Sequence, residues 1–318
     1  MKHYRAALLV LCVLFSSCAG KKDGEIAPMR DKAMPITLPV EDAAAIPQPF
    51  SRRSPGGEYW EVNDLSDFLT YLDDPSIQIL GFYRGTFSDL SPLSDLSELK
   101  ELSIDFNRNV TNISPLASLV NLKKLILFET GMKNIEPISS LVNLRHLEIR
   151  DWELKERYFR EFLPLQQLEI LVLLTGTLLD AAYISQLHSL KELNITPRWE
   201  GDIEADIVSI ELLGNLSNLE RLTIWAVPNL DISWIADLQN LEYLELRGCM
   251  INDISPLLTL PHLVEVNLIA STVGDFTPLL ESKSIKSITG FYGENFSDEL
   301  IVQFRERGIE FQPSISDR

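Results

Sequence analysis

The sequence predicts an α/β solenoid in which short parallel strands line a concave face and short helical or 3₁₀ segments line the convex face. Two observations lead to this prediction. An apolar pattern recurs about every 22 residues, and each copy combines the alternation of a short strand with a Ser-Pro-Leu-like segment. Hydrophobic residues make up 45% of the 318 residues, which is enough for a core shared by all copies.

Each copy follows the order apolar-x-x-apolar-x-apolar, a short loop, and the Ser-Pro-Leu-like segment. In one copy Leu244 and Leu246 point inward, because alternate side chains of a strand share a face. Pro256 suits the first turn of the next segment, where its missing N–H loses no hydrogen bond. A single copy cannot bury its apolar face alone, so we expect the copies to stack. The copies begin at Ile77, Leu99, Leu122, Leu144, Leu168, Leu190, Leu219, Leu241, Leu263 and Ile285.

Residues 89–93, 112–116 and 253–257 read Asp/Asn-apolar-Ser-Pro-Leu. With the 22-residue period, they resemble internalin-type bacterial leucine-rich repeats over residues 77 to about 290. The resemblance implies a leucine-rich-repeat solenoid whose concave sheet binds partner proteins.

The chain also departs from that family's pattern. The Asn expected at the loop turn is present as Asn107, but Thr130, Trp152 and Ser271 occupy the same position in other copies. The copy covering residues 190–218 is seven residues longer than the common period. These departures leave the predicted fold unchanged, but they mean that the partner of any particular internalin cannot be carried over to this chain.

The N-terminus has the form of a bacterial export signal. Lys2 and Arg5 precede ten apolar residues, 6–15, which are too few to span a bilayer. The segment then runs through small residues to Cys18, and this resembles the lipobox of bacterial lipoproteins. The resemblance implies that Cys18 is lipidated, while an ordinary signal peptide with a chance Cys is the open alternative. The residue after Cys18 is Ala19, and in this the sequence resembles lipoproteins that are passed on to the outer membrane.

The chain divides into five predicted regions. The stretch after Cys18 is rich in Pro and is expected to be a tether, with an arm packed on the first turn as its alternative. A short amphipathic helix over 64–72 and a helix over 297–307 followed by a strand over 309–311 suit capping of the two ends. The regions are 1–17 lipoprotein signal peptide, 18–57 tether, 58–76 N-terminal cap, 77–290 leucine-rich repeats, and 291–318 C-terminal cap and tail.

The net charge of −18 argues against nucleic acid as a partner and against adsorption to anionic lipid. The expected membrane contact is therefore the lipid on Cys18. Of the three cysteines, Cys249 is predicted to be a packed thiol, because it occupies the position where such repeats keep a small buried polar residue.

Strand alternation places several large side chains on the concave face. Aromatic residues and arginines are typical of binding hot spots, whereas the alternative is that sheets favour such residues anyway. Arg221 lies beside them. The predicted partner-binding residues are Phe128, Arg150, Leu174, Trp225, Tyr243, Arg247, Ile269 and Phe291.

No catalytic, metal or cofactor motif is found, and we expect no enzyme. The remote alternative is a repeat-scaffold enzyme using His146 beside Glu148 and Arg150. The acidic loop 199–206 is expected to be solvated, with partner contact or a loose Ca²⁺ site as alternatives. The leading hypothesis is an envelope-anchored protein that binds a partner in surface recognition or adhesion. A periplasmic scaffold or inhibitor holding another envelope protein is the alternative.

Overall fold

The computed structural model describes residues 51–52, 60–72, 76–151, 156–175, 179–197, 207–290 and 296–313. These residues all belong to one compact unit. Several predictions fall outside the described residues: the lipidated Cys18, Trp152, the loop 199–206 and Phe291.

Thirteen strands of the described chain form one sheet, and four short strands form two separate pairs. The strands of the large sheet are β1 (Ser51–Arg52), β2 (Trp60–Glu61), β3 (Ile79–Tyr83), β4 (Glu101–Asp105), β5 (Lys124–Phe128), β6 (His146–Asp151), β7 (Ile170–Thr175), β9 (Glu192–Pro197), β11 (Arg221–Trp225), β12 (Tyr243–Arg247), β14 (Glu265–Asn267), β16 (Ser287–Gly290) and β17 (Glu310–Pro313). The separate pairs are β8 (Leu179–Asp180) with β10 (Ile207–Val208), and β13 (Met250–Ile251) with β15 (Thr272–Val273).

Successive strands from β2 to β17 pair in parallel, and each residue lies opposite its equivalent in the next copy. Glu101 lies opposite both Ile79 and Lys124, and equivalent positions stay paired along the sheet although their spacing in the sequence varies. The long copy keeps this register, because Glu192 of β9 pairs directly with Arg221 of β11. The predicted leucine-rich-repeat solenoid is thus confirmed, strand by strand.

Within the described residues, a 3₁₀ segment or a short helix follows the strand in each of the nine copies that begin between Ile77 and Leu263, including the long copy. The 3₁₀ segments are Ser91–Asp95, Ser114–Ser118, Glu136–Ser140, Glu156–Phe162, Ile210–Asn215, Ser233–Asp237, Ser255–Thr259 and Thr277–Glu281. The helices are α1 (Leu65–Leu72), α2 (Ala181–Ile184), which takes the place of a 3₁₀ segment, and α3 (Asp298–Glu306).

An acidic or amide side chain initiates most of the 3₁₀ segments. The Oδ1 atom of Asp253 accepts a hydrogen bond from the backbone N–H of Ser255 at 2.8 Å, and this closes a side-chain turn. Pro256 then stands in the first turn, where it loses no hydrogen bond. The same bond is made by Asp89, Asn112, Asn134, Asp231 and Asp275.

The core lies between the sheet and these segments. Leu244 and Leu246 of β12 have no exposed surface, and neither do Leu257 and Leu263 of the following segment and loop. Each is repeated in the neighbouring copies, so the apolar interior is continuous along the sheet. Burial of these Leu columns, at roughly 1.5–3 kcal/mol per side chain, is the main force that stacks the copies.

Polar side chains satisfy carbonyl groups inside the turns. Asn107 donates through Nδ2 to the Phe87 carbonyl at 3.0 Å, and Ser271 donates through Oγ to the Leu246 carbonyl. Cys249 has the same position and is 1% exposed, with Sγ 3.7 Å from the Ile224 carbonyl oxygen. Burial raises the pKa of this thiol to about 12, and Cys249 is a packed thiol, as predicted.

A second polar ladder precedes the strands and was not anticipated from the sequence. Asn240 donates through Nδ2 to the carbonyl of Ser217, one copy earlier, at 2.8 Å. Asn121, Asn143, Ser189, Asn218 and Ser284 make equivalent bonds. The ladder ties six of the copies to the copy before them.

Both predicted terminal helices are present as α1 and α3. Phe68 of α1 packs edge-on against Phe82 of β3, with ring centroids 5.8 Å apart. The Oγ atom of Ser297 caps α3 by accepting the backbone N–H of Leu300. No helix within the described residues is both long enough and apolar enough to cross a membrane.

Candidate functional site

The candidate site is the outer face of the sheet, defined by the side chains at the first, third and fifth positions of each strand. The second and fourth positions point into the core, as the alternating burial of β5 and β12 shows. The residues at the fifth position are Tyr83, Asp105, Phe128, Arg150, Leu174, Thr196, Trp225 and Arg247. Five of the predicted partner-binding residues are in this column: Phe128, Arg150, Leu174, Trp225 and Arg247.

Three aromatic rings form a cluster near one end of the outer face. Phe106 lies between Tyr83 and Phe128, with ring centroids 5.5 Å and 4.4 Å away. Arg84 stacks on Tyr83 at 5.2 Å and Arg150 on Phe128 at 5.8 Å. The cluster combines large apolar surface with two cations, as protein-binding hot spots do.

The turn after β4 brings Phe106 into this cluster. Phe106 has φ +55°, and the same left-handed conformation follows several other strands. It lets the backbone N–H of Phe106 donate to the Phe128 carbonyl at 2.7 Å, which prolongs the parallel ladder. Sequence alternation assigns no face to a residue beyond the strand, so Phe106 and Arg84 were not predicted. Tyr83 was not among the predicted partner-binding residues either.

Charged groups surround Phe128. Asp105 and Arg150 flank it in the sheet. Burial raises the pKa of Asp105 to about 6, although a hydrogen bond from Ser103 opposes the rise. Its carboxylate accepts that bond from the Ser103 hydroxyl at 2.8 Å.

Glu148 balances the cations of this region. It pairs with Arg150, and its Oε2 lies 3.6 Å from Nε2 of His146. Burial acts to raise the pKa of Glu148, but His146 and Arg150 outweigh it and the net shift is downward. A carboxylate held ionised in this way is a poor proton donor. The geometry therefore assigns Glu148 a charge-balancing role beside His146.

A second aromatic group lies on β11 and β12. Arg247 stacks over the indole of Trp225 at 4.8 Å, and Arg221 over the ring of Tyr243 at 4.1 Å. The two stacks are formed across directly paired positions at opposite ends of the two strands. The Tyr243 hydroxyl donates to Oε2 of Glu245 at 2.8 Å. Burial, followed by the charge of Glu245, raises the Tyr243 pKa, so the phenol stays a neutral donor.

The structure places most of the predicted partner-binding residues on the outer face, with two differences. Leu174 is only 7% exposed, in contrast to the exposed side chain expected from the register. It lies between Arg150 and Thr196, and alternation identifies a face without telling how far cross-strand neighbours cover a side chain. Ile269 lies past the end of β14, in a turn where Oδ1 of Asn267 accepts its backbone N–H.

Four polar side-chain atoms on the outer face are shielded from solvent and have no hydrogen-bond partner among the described residues. They are the Trp225 indole nitrogen, the Nε atom of Arg150, the Nε2 atom of His146 and the Oγ atom of Ser287. Buried polar atoms in folded proteins are usually hydrogen-bonded. These four atoms therefore mark the face as a place where hydrogen-bonding capacity is unused in the isolated chain.

A polar groove of about 690 Å³ runs along the edge where the strands begin. Glu169 lies in it and pairs with both Arg145 and Lys191. Glu220, Glu242 and His262 line its other end. Ser189, Asn218 and Asn240 of its lining belong to the ladder described above, so the groove follows from how the copies join.

No protein-family model matches this chain, and no curated protein matches it in sequence. Solved structures do match in fold. An internalin from Listeria monocytogenes is 20% identical, with a TM-score of 0.62 over 81% of this chain and 72% of that one. A leucine-rich-repeat protein from Leptospira interrogans is 18% identical, with a TM-score of 0.54 over 75% of this chain and 66% of that one. The fold is internalin-like.

Proposed function

We propose that this chain is a lipid-anchored protein of the bacterial envelope whose outer face binds a partner protein in surface recognition or adhesion. The observation that carries the proposal is the pair of aromatic groups on that face. Phe128, Trp225 and Tyr243 each carry a stacked guanidinium. Stacking holds these long side chains in place before a partner arrives, which lowers the entropy cost of binding.

The remainder of the face suits the same role. Three partly exposed apolar side chains on β5 and β7 also lie on the outer face: Ile126, Ile170 and Val172. Arginines and glutamates alternate with them. Protein interfaces combine aromatic anchors with such a polar surround. We assign the outer face to the concave side of the solenoid, where a partner would contact several copies at once.

The proposed anchor is the lipid on Cys18, in the outer membrane. The support is the sequence alone: a basic n-region, a short apolar stretch, and small residues before the Cys. The net charge of −18 gives no attraction to anionic lipid, so the anchor would supply the membrane affinity.

The binding role is tested by recovering cross-linked partners from cells that express variants. Phe128→Ala with Trp225→Ala is expected to lower recovery of the specific partner at least tenfold, because hot-spot aromatics dominate binding energy. Val120→Ala with Leu258→Ala is the matched control, since both are exposed apolar residues away from the sheet. Equal recovery from the two double variants would refute the assignment of the outer face.

The anchor and its orientation are tested separately. Metabolic labelling with a fatty-acid analogue should mark the wild type and not Cys18→Ala. Protease digestion of intact cells should then remove the repeat region while a periplasmic control protein survives. Survival of the repeat region until the envelope is broken would instead support the periplasmic scaffold or inhibitor.

A further inference from the structure

The arginines of this acidic chain fall into two groups. Five described arginines contact a glutamate of the chain itself. They are Arg108, Arg145, Arg150, Arg160 and Arg307. Four other arginines with described side chains have no carboxylate within 4.0 Å of the guanidinium among the described residues: Arg84, Arg221, Arg247 and Arg305. Of these, Arg221 and Arg247 lie on adjacent strands of the sheet.

Stacking explains how these two guanidiniums are held. A guanidinium that lies over an aromatic ring keeps its N–H edges free in its own plane, where they can pair with both oxygens of a carboxylate. Arg221 lies over Tyr243 and Arg247 over Trp225. The two are four residues apart along the strand direction, which is about 13 Å at 3.3 Å per residue.

The space between the two arginines has the opposite charge. Glu245 lies at the middle position of β12, opposite Thr223 and midway between the two stacks. The patch formed by Arg221, Thr223, Trp225, Tyr243, Glu245 and Arg247 therefore reads cation, anion, cation along these two strands, while Glu192 and Glu265 lie on the flanking strands beside its Arg221 end. We call it the arginine patch.

We propose that the arginine patch binds an extended acidic segment of the partner protein, with carboxylates four residues apart and an uncharged residue midway. This inference rests on the proposed function and adds the chemistry of the partner. An extended peptide advances about 3.3 Å per residue, so residues i and i+4 would lie over the two guanidiniums. Residue i+2 would then lie over Glu245.

Charge complementarity favours such a peptide over a continuous polyanion. A sulfated glycan or polyphosphate would place anions over Glu245 and would be repelled by the net charge of −18. A peptide with separated carboxylates avoids Glu245 and pairs only with the cations. The pattern of charge, rather than its amount, is thus the proposed basis of recognition.

The experiment uses fluorescent peptides and the full-length protein in nonionic detergent at 50 mM NaCl. The probe has the core Glu-Ser-Asn-Ser-Glu in a neutral extended flank. Two further peptides replace both Glu by Gln, or the central Asn by Glu. We expect the first peptide to bind at least tenfold more tightly than either of the others, and 500 mM NaCl to weaken it.

Variants connect the result to the patch. Arg221→Gln with Arg247→Gln should weaken the first peptide at least tenfold, and Arg221→Lys with Arg247→Lys should weaken it less. Arg307→Gln is the matched control, since it removes an exposed arginine at the far end of the chain. Equal binding of the Glu and Gln peptides, no measurable binding of the Glu peptide, or tighter binding of polyphosphate would each overturn the inference.

Failure of this inference can be told apart from failure of the proposed function. If partner recovery falls with Phe128→Ala and Trp225→Ala but not with Arg221→Gln and Arg247→Gln, the face binds a partner that is not acidic at this patch. If recovery is insensitive to all four changes, the proposed function itself is wrong.

Discussion

Asp105 is a partly buried carboxyl group on the outer face. It lies beside Phe128, and burial raises its pKa from 3.8 to about 6. The folded chain therefore holds this proton more tightly than the unfolded chain does. Stability supplied by the protonated form is present below about pH 4 and is lost as the pH rises through 6.

Asp105→Asn should therefore stabilise the fold at neutral pH. The amide keeps the Oδ1 atom that accepts the Ser103 hydroxyl and carries no charge to bury. We expect a gain of about 1–3 kcal/mol at pH 7 that disappears near pH 4, measured by urea unfolding across pH 4–8. The exposed Asp95→Asn serves as the control. A gain that did not change with pH would show that the carboxylate charge is not the cause.

The sequence predicted individual site residues as far as strand alternation reaches. Phe128, Trp225, Tyr243 and Arg247 lie on the face that their register positions predicted. Phe106 could not be predicted, because its place depends on a left-handed turn residue. The burial of Leu174 depends on side chains from neighbouring copies, which no local pattern contains.

At the scale of elements, the side-chain turn before each 3₁₀ segment explains why the Asp/Asn-apolar-Ser/Thr pattern recurs. Hydrogen bonds from Ser255 lower the pKa of Asp253. The carboxylate form is thus favoured by folding, and its stabilisation is present above the unfolded pKa and is lost as the pH falls through the folded one.

Asp253→Ala should lower the urea midpoint at pH 7, because the backbone N–H of Ser255 loses its acceptor. Asp253→Asn keeps Oδ1 and should lie closer to the wild type. The difference in urea midpoint between the wild type and Asp253→Ala should become smaller as the pH falls below the lowered pKa of Asp253. The difference between the wild type and Asp253→Asn should change less with pH. An alanine variant as stable as the wild type at pH 7 would contradict this account of the turn.

The left-handed residue after the strand gives a second prediction at this scale. Gly248 has φ +65°, and an added Cβ would have its nearest neighbours at 3.9 Å, so Gly248→Ala adds backbone strain without a clash. We expect a loss of about 1–2 kcal/mol in unfolding free energy. Ala270→Gly, at φ +59°, removes the same strain and should be neutral or stabilising. A stabilising Gly248→Ala together with a destabilising Ala270→Gly would rule out strain as the cause.

Element prediction succeeded where one copy contains its own signal. The Ser-Pro-Leu pattern led to the 3₁₀ segments, and the amphipathic stretch at 64–72 led to α1. The ladder through Asn240 was not predicted, because its acceptor is a carbonyl in the preceding copy. Contacts between copies lie beyond what a single copy's residues reveal.

The parallel sheet from β3 to β16 follows from the pairing of equivalent positions in successive copies. Because every copy presents the same inward Leu columns, parallel pairing in register is the arrangement that buries them all, and even the long copy obeys it. The function is less determined than the fold. The core residues are repeated from copy to copy, whereas the residues of the outer face differ between copies. These differing residues would determine which partner is bound.

The most direct test of the central claim is site-specific photo-cross-linking in intact cells. A photoreactive amino acid would replace Thr223 on the outer face, and Leu258 on a 3₁₀ segment in a parallel strain. The account predicts a discrete cross-linked partner from position 223 that is absent from position 258. A partner captured from position 258 alone, or from neither position, would contradict the claim that the outer face of the sheet is the binding surface.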